Sequence, residues 1–349
     1  MKLKYDLLYE CAVDILAACG ESAENAAIVA KNLIKADARG VTTHGTYLLT
    51  PIWERVQAKQ LSLPSEVRLV SDDGATALVD GGGGLGAVAG MMAVKTAILK
   101  AKQYGIATVL VRNTNNIGAL ACYTEVAAKE GMIAIMSCNA APAMAPWGGA
   151  EAFLGTNPFA IGIYTGQDMV FSADMASSIV ARGKIRKAAR NGESIPDNWA
   201  VDREGNFTTN PNEALKGALL PMGGPKGSAI ALAVDIISGM LSGAQYAPNL
   251  KSFHTPEGAT GVGASLIVLD ISRFMNLKVF QNHMDGYIER IKGMKKAKGF
   301  DEIFIPGEIE YNKEQQSYKE GIELDDKAVA AIDALLEVTG SGKRLGGLL

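Results

Sequence analysis

Between residues 67 and 175 the chain alternates short apolar runs with longer amphipathic ones. No other feature constrains the fold as much. Residues 76–80 (TALVD), 107–112 (ATVLVR), 132–137 (MIAIMS), 159–164 and 169–172 read as strands. Residues 87–103, closed by Gly105, and 119–129, closed near Gly131, read as helices between them. Such alternation predicts an α/β core in which helices cover a sheet. A later apolar run, ASLIVLD at 264–270, adds a strand. Residues 1–60 read as helices, with Ala27, Val29, Ala30, Leu33 and Ile34 on one stripe and an approximate capping signal at Ser22 and Glu24. Helices are also expected at 276–296 and 325–336, and the tail TGSGKRLGGLL reads as frayed. The chain divides approximately into a helical segment at 1–66, a first part of the core at 67–180, a second part at 181–310 and a C-terminal helical segment at 311–349.

A length of 349 residues favours more than one lobe. With 48% hydrophobic and 20% charged residues, long disorder is excluded. The 34 basic and 37 acidic residues leave a charge of −3, so neither nucleic acid nor an anionic lipid surface is an expected partner. Cys11, Cys19, Cys122 and Cys138 form no C-x-x-C pair and read as reduced thiols of a cytoplasmic protein. Asp6, Glu10 and Asp14 interrupt the apolar residues at the start, giving an amphipathic helix and not a secretory signal. The most membrane-like stretch, 227–244, carries one charge, Asp235, and is expected to be a helix buried on all sides.

Gly81, Gly83 and Gly86 match the spacing G-x-G-x-x-G after a strand and before a helix. A dinucleotide fingerprint also needs an acid at the end of the next strand. That strand ends Val111-Arg112-Asn113, so a tight strand-to-helix turn is the better reading. Metal-ligand spacing, a G-x-S-x-G elbow and a phosphate loop are all absent from the sequence, and no metal is expected. Of the histidines His44, His254 and His283, His44 stands in a polar turn, RGVTTHG, where it is either a general acid/base or a structural histidine. Gly223-Gly224-Pro225-Lys226-Gly227-Ser228 precedes the apolar helix and is a recipe for holding an anion, or else a plain turn with a solvated lysine. Residues 182–216 read as a short basic helix followed by a surface excursion.

Taken together, ADARGVTTHG (36–45), APWGGAEAFLGTNP (145–158), ADMASSIVARGKI (173–185), IPDNWAVDREGNFTTNP (195–211), GGPKGSAIAL (223–232), LSGA (241–244) and IPGE (305–308) resemble the type 2 malate/L-lactate dehydrogenase family. Through GGAE, IPDNWAVD and GPKG the likeness leans to its ureidoglycolate dehydrogenase members. The resemblance implies a mixed-sheet α/β fold of the sulfolactate dehydrogenase type, distinct from the Rossmann fold. It implies an obligate homodimer with the active site near the subunit interface. It also implies NAD or NADP held by Asp174, Met175 and Ala176, by Lys226 and Gly227, and by Pro306, Gly307 and Glu308. His44 then falls where the family carries a proposed acid/base.

The substrate side departs from the family pattern. Thr43 replaces the serine before the histidine. Leu48 stands where an arginine grips the substrate carboxylate, and Asn116 stands where a second histidine accepts a proton. Near the late strand, Thr260 in GATGVGAS lies where a further arginine often occurs, and Arg39 opens the histidine motif. Asn cannot take a proton from an alcohol, but it can donate a hydrogen bond to a carbonyl oxygen. The expected activity is hydride transfer between NAD(P)(H) and a small 2-hydroxy/2-oxo acid or related compound, with a pocket lacking the usual carboxylate clamp. Two alternatives are a family member without dehydrogenase activity and a cyclic imino-acid reductase.

Overall fold

The structure, a computed structural model, describes residues 1–346. The N- and C-terminal segments meet in one apolar core. Strand β1 (Lys2–Leu3) pairs antiparallel with β11 (Ile322–Glu323). Helices α1 (Tyr5–Ala18), α2 (Ala23–Ala38) and α3 (Leu49–Gln57) bury Leu8, Ile15, Leu33, Ile34 and Ile52 against Ile332 and Leu336 of α11 (Asp326–Thr339). Ser22 caps α2 by accepting the Asn25 N–H at 3.3 Å. The tail is not frayed as far as it is described. Leu345 is buried in this core, its N–H donates to Asp333 at 2.6 Å, and Lys343 bridges Glu10 and Asp14. Residues 347–349 of the expected frayed tail lie outside the described residues.

The central sheet has seven strands: β2 (Arg68–Asp73), β3 (Thr76–Asp80), β4 (Ile106–Thr114), β5 (Met132–Cys138), β6 (Phe159–Ile163), β7 (Phe171–Met175) and β10 (Val262–Asp270). Their order is β2-β3-β4-β10-β5-β6-β7. Only β3 and β4 run parallel; every other neighbouring pair is antiparallel. The sheet is therefore mixed and unlike the doubly wound parallel sheet of ordinary dinucleotide-binding domains. Helices α4 (Gly86–Tyr104) and α5 (Ala121–Lys129) cover one face, burying Val94, Ile98 and Tyr123 on Val109, Val111, Met136 and Leu266.

A third core collects Met144, Leu154, Ile185, Ala214, Leu219 and Ala231. It is built from α6 (Arg182–Asn191), the ladder of β8 (Ala200–Val201) with β9 (Ala218–Leu219), α7 (Pro211–Lys216) and α8 (Pro225–Val234). Helix α8 runs into a π-helical stretch, Asp235–Met240. The apolar segment is not buried all round. Leu232, Ile236, Ile237, Met240 and Leu241 are exposed, and Leu241 is 67% exposed. No helix among the described residues is long and apolar enough to cross a membrane. Helices α9 (Leu277–Lys292) and α10 (Glu308–Glu320) complete the chain.

The glycine run before α4 serves packing. A Cβ on Gly86 would lie 2.3 Å from the backbone oxygen of Asn116, closer than atoms tolerate. Asp80, the acid before the run, is engaged by Arg112 at 2.9 Å and by the Gly82 N–H at 3.0 Å. Gly86→Ala should therefore cost about 1–3 kcal/mol, the usual range for an overpacked core position, and lower the melting temperature. A variant melting with the wild type would remove this contact from the account.

Candidate functional site

The candidate site is a cleft of about 1660 Å³. Its walls come from the end of α2, the turns after it, the Asn116 loop, the end of β7, α6, the loop 251–254 and the turn before α10. Pockets for drug-sized ligands measure roughly 300–1,000 Å³, so this one has room for a dinucleotide and a small substrate together.

His44 ends a short 3-10 helix, Thr42–His44, and a second, Thr46–Leu48, follows. The turn between them is fixed by Asp37, whose Oδ2 accepts the Thr46 N–H at 2.8 Å and the Thr46 hydroxyl at 2.6 Å. A Cβ on Gly45 would lie 1.8 Å from Asp37 Oδ1, so the carboxylate reaches this turn only because residue 45 has no side chain. Burial pushes the Asp37 carboxyl up to about 6 against these two hydrogen bonds. Its Oδ1 has no partner among the described residues. His44 Nδ1 lies 3.0 Å from the Thr43 hydroxyl. Burial in the wall, then the charge of His254, holds the imidazole below its ordinary value.

His254 shares the cleft with His44, and no motif links the two across a separation of 210 residues. Its ring lies 6.1 Å from that of Tyr47. Burial, then Arg186 and Arg55, lowers its pKa. The loop that carries it is held by Arg55, which is fully buried in α3. The guanidinium donates to the carbonyls of Phe253 at 2.8 Å, Thr255 at 2.9 Å and Gly258 at 3.0 Å, and also to that of Ser252.

Asn116 lines the same cleft. Its Oδ1 accepts the Gly118 N–H at 2.9 Å, which turns the NH₂ group into the free end of the amide. Asn115 behind it donates to the carbonyls of Gly83 at 2.8 Å and Gly84 at 2.9 Å. The glycine run thus seats this asparagine loop.

The three residues expected on the substrate side are otherwise engaged. Leu48 is buried in the helical core and lines no part of the cleft. Arg39 reaches the wall, but its guanidinium is 2.7 Å from Glu125 and 3.2 Å from Glu314. The buried Thr260 hydroxyl lies 2.9 Å from Asn115 Oδ1 and 3.0 Å from the Thr114 carbonyl oxygen, so it ties loops together.

Asp174, Met175 and Ala176 line the cleft together with Pro306 and Gly307. The Ser172 N–H donates to the Pro306 carbonyl at 3.0 Å, which joins the two segments. Asp174 Oδ2 accepts the Ala121 N–H at 2.9 Å. Solvent reaches this carboxylate through the cleft, yet the surrounding protein raises its pKa to about 6. Glu308 points elsewhere, accepting the Ile305 N–H at 2.9 Å and pairing with Lys292. Lys226 and Gly227 line no part of the cleft. Lys226 is exposed, and the Gly227 N–H expected to face an anion donates to the Met222 carbonyl at 2.9 Å. Their turn packs on the Trp147 loop, where Ser228 accepts the Trp147 N–H at 3.0 Å.

The basic helix forms as expected, but its place in the site was not anticipated. Arg182, Arg186 and Arg190 of α6 line the cleft, whereas the expected surface excursion begins after the helix. Their spacing of four residues, which puts side chains on one helix face, was the available signal. A Cβ on Gly183 would lie 3.4 Å from the Thr43 methyl, so α6 abuts the turn carrying His44.

A sequence profile described as malate/L-lactate dehydrogenase matches residues 3–333. Malate dehydrogenase of Pyrococcus horikoshii is 38% identical over 97% of this chain and 96% of its own length. L-Sulfolactate dehydrogenase of Methanocaldococcus jannaschii is 39% identical over 90% of each chain. The solved structure of sulfolactate dehydrogenase from that organism superposes with a TM-score of 0.92 over 97% of this chain and 98% of its own. Ureidoglycolate dehydrogenase of Escherichia coli K12, named for NAD(+), is 32% identical over 93% of each chain. The mixed sheet, the order of the motifs and these relatives agree: the chain belongs to the malate/L-lactate dehydrogenase family, whose members are NAD(P)-dependent dehydrogenases.

Proposed function

We propose that the cleft transfers a hydride between NAD or NADP and carbon 2 of a small 2-hydroxy/2-oxo acid. The observation that carries this reading is that His44, the free amide end of Asn116 and Asp174 all line one cleft. The residues fit a dinucleotide. Asp174 is an acceptor for ribose hydroxyls, and the backbone of Met175, Ala176, Pro306 and Gly307 lies beside it. The nicotinamide, when bound, supplies or takes up the hydride. In reduction, protonated His44 gives its proton to the substrate oxygen; in oxidation the neutral ring takes it back. Asn116 Nδ2 donates a hydrogen bond to the same oxygen and stabilises the negative charge that develops there. Lys226, Gly227 and Glu308 take no part in this reading. Asn116 in place of the family's second histidine also suits a cyclic imine, whose nitrogen is more basic than a carbonyl oxygen.

The reading extends to a cytoplasmic homodimer. Leu232, Ile236, Ile237, Met240 and Leu241 form an exposed apolar face, and Ile106 and Ile135 are exposed on the central sheet. Exposed apolar side chains clustered along one segment support an interface there. The four buried free thiols fit a reducing compartment.

Three measurements test the proposal. His44→Ala should lower kcat by at least ~10²-fold with the NAD(P)H dissociation constant unchanged; full-rate turnover by this variant would place the acid elsewhere. Reduction needs the protonated imidazole, so its kcat/KM should fall as pH rises through the His44 pKa, below the ordinary 6.5. Oxidation should lose rate as pH falls through the same point, and the residual activity of His44→Ala should lack both breaks. Light scattering should give twice the chain mass, and Ile236→Lys with Leu241→Lys should yield monomer; a wild-type monomer would refute the dimer.

A further inference from the structure

We propose that α6 supplies the anion clamp of this site, with Arg186, backed by Arg190 one turn further, as the specificity-determining residue that recognises the distal acid group of a doubly charged 2-oxo acid. The inference rests on the hydride-transfer reading above for the identity of the reacting end. It starts from elimination among the arginines of the cleft, whose planar fork suits an acid group better than the ammonium groups of Lys251 and Lys327, which also line it. Position 48 is a buried leucine, and Arg39 is held by Glu125 and Glu314. Of the α6 arginines, Arg182 is half-buried and donates to the Leu215 carbonyl at 2.9 Å. Arg186 and Arg190 are exposed to the cleft, and neither makes an ion pair among the described residues. Glu54, Glu310 and Asp325 also line the cleft without reaching them.

Position then connects these charges to the chemistry. Gly183 abuts Thr43, so the first turn of α6 lies beside the turn that ends in His44. Tyr47 and His254 face each other at 6.1 Å, and the charge of Arg186 acts on His254. Arg186 is therefore on the His44–His254 side of the cleft. Four residues on a helix advance about 6 Å along its axis, the order of the separation between the ends of a four-carbon diacid. A guanidinium is the side chain best matched to a carboxylate or sulfonate, because its planar fork donates two parallel hydrogen bonds. A 2-oxo acid with a second acid group two bonds from the reacting carbon would meet His44 and Asn116 at the carbonyl and Arg186 at the far end.

Steady-state reduction of oxaloacetate, a dianion, and pyruvate, a monoanion, tests the proposal on the full-length protein. The wild type should favour the dianion, and Arg186→Gln should lower the dianion-to-monoanion ratio of kcat/KM by about 10-fold or more, the scale of one lost charged hydrogen bond. Lys187→Gln, on the same helix but outside the cleft, should leave the ratio as it is. A ratio unmoved by Arg186→Gln overturns the proposal. The other source of an anion at this wall is the 2′-phosphate of NADP. A Kd for NADPH that rises in Arg186→Gln while that for NADH does not, with the ratio for acids unmoved, would assign the wall to the nucleotide and likewise overturn it. Calorimetry of the protein–NADH complex with succinate and butyrate separates this inference from the hydride-transfer reading. Succinate binding lost in Arg186→Gln supports the clamp even if no oxo acid is turned over; equal binding of succinate by variant and wild type refutes it even if oxaloacetate is reduced.

Discussion

Strand β10 lies between β4 and β5 and pairs antiparallel with both, through Leu266 opposite Val109 on one side and Met136 on the other. The two strands it separates are successive strands of the chain, so the sheet stays open at its centre until residues 262–270 enter it. That one insertion also sets the register of the site. Thr260, just before β10, is held against Asn115, and the loop 251–254 ahead of it carries His254 into the cleft that contains His44. Contacts of this sequence separation carry a large loop-closure cost, which the buried apolar pairs of the sheet centre offset.

The periodic elements were legible because their physics is local. The strand at 76–80 and the helix ending at Gly105 follow from apolar spacing and from a glycine with φ of +85° at the helix end. Elements without a buried face gave no such signal. Strand β2 is exposed along its whole length, and its run RLVSDD shows no alternation to read. Helix α10, EIEYNKEQQSYKE, is polar on nearly every side and buries little beyond Glu308 and Ser317. The opposite error arose at 227–244, where uniform apolarity implied burial inside one chain, whereas the single chain leaves Ile236 and Leu241 in solvent.

The site was legible only in part. His44 and the segment 174–176 stand in motifs, and the cleft contains them. The roles of Arg39 and Thr260 depended on partners hundreds of residues away in sequence, such as Glu314, or on a hydroxyl's orientation, neither of which a motif encodes. The glycine run at 81–86 shows the reverse: its spacing imitates a phosphate cradle, while its carbonyls in fact receive the Asn115 amide. Position 226 resembles an anion site until the Gly227 N–H is followed to the Met222 carbonyl.

Arg55 carries a full charge in the interior with only carbonyl oxygens around it and the Phe253 ring 5.1 Å from its guanidinium carbon. Those carbonyls all belong to one surface loop, which adds few hydrogen bonds of its own, such as the Lys251 N–H to the Thr260 carbonyl at 3.3 Å; it is cast around a cation delivered by α3. A lysine could not replace that cation, because an ammonium lacks the planar spread of donors. The helical lobe is therefore the mould of one wall of the cleft: wherever α3 loosens from its neighbours, the loop loses its template and His254 its place, even with every strand of the central sheet still paired.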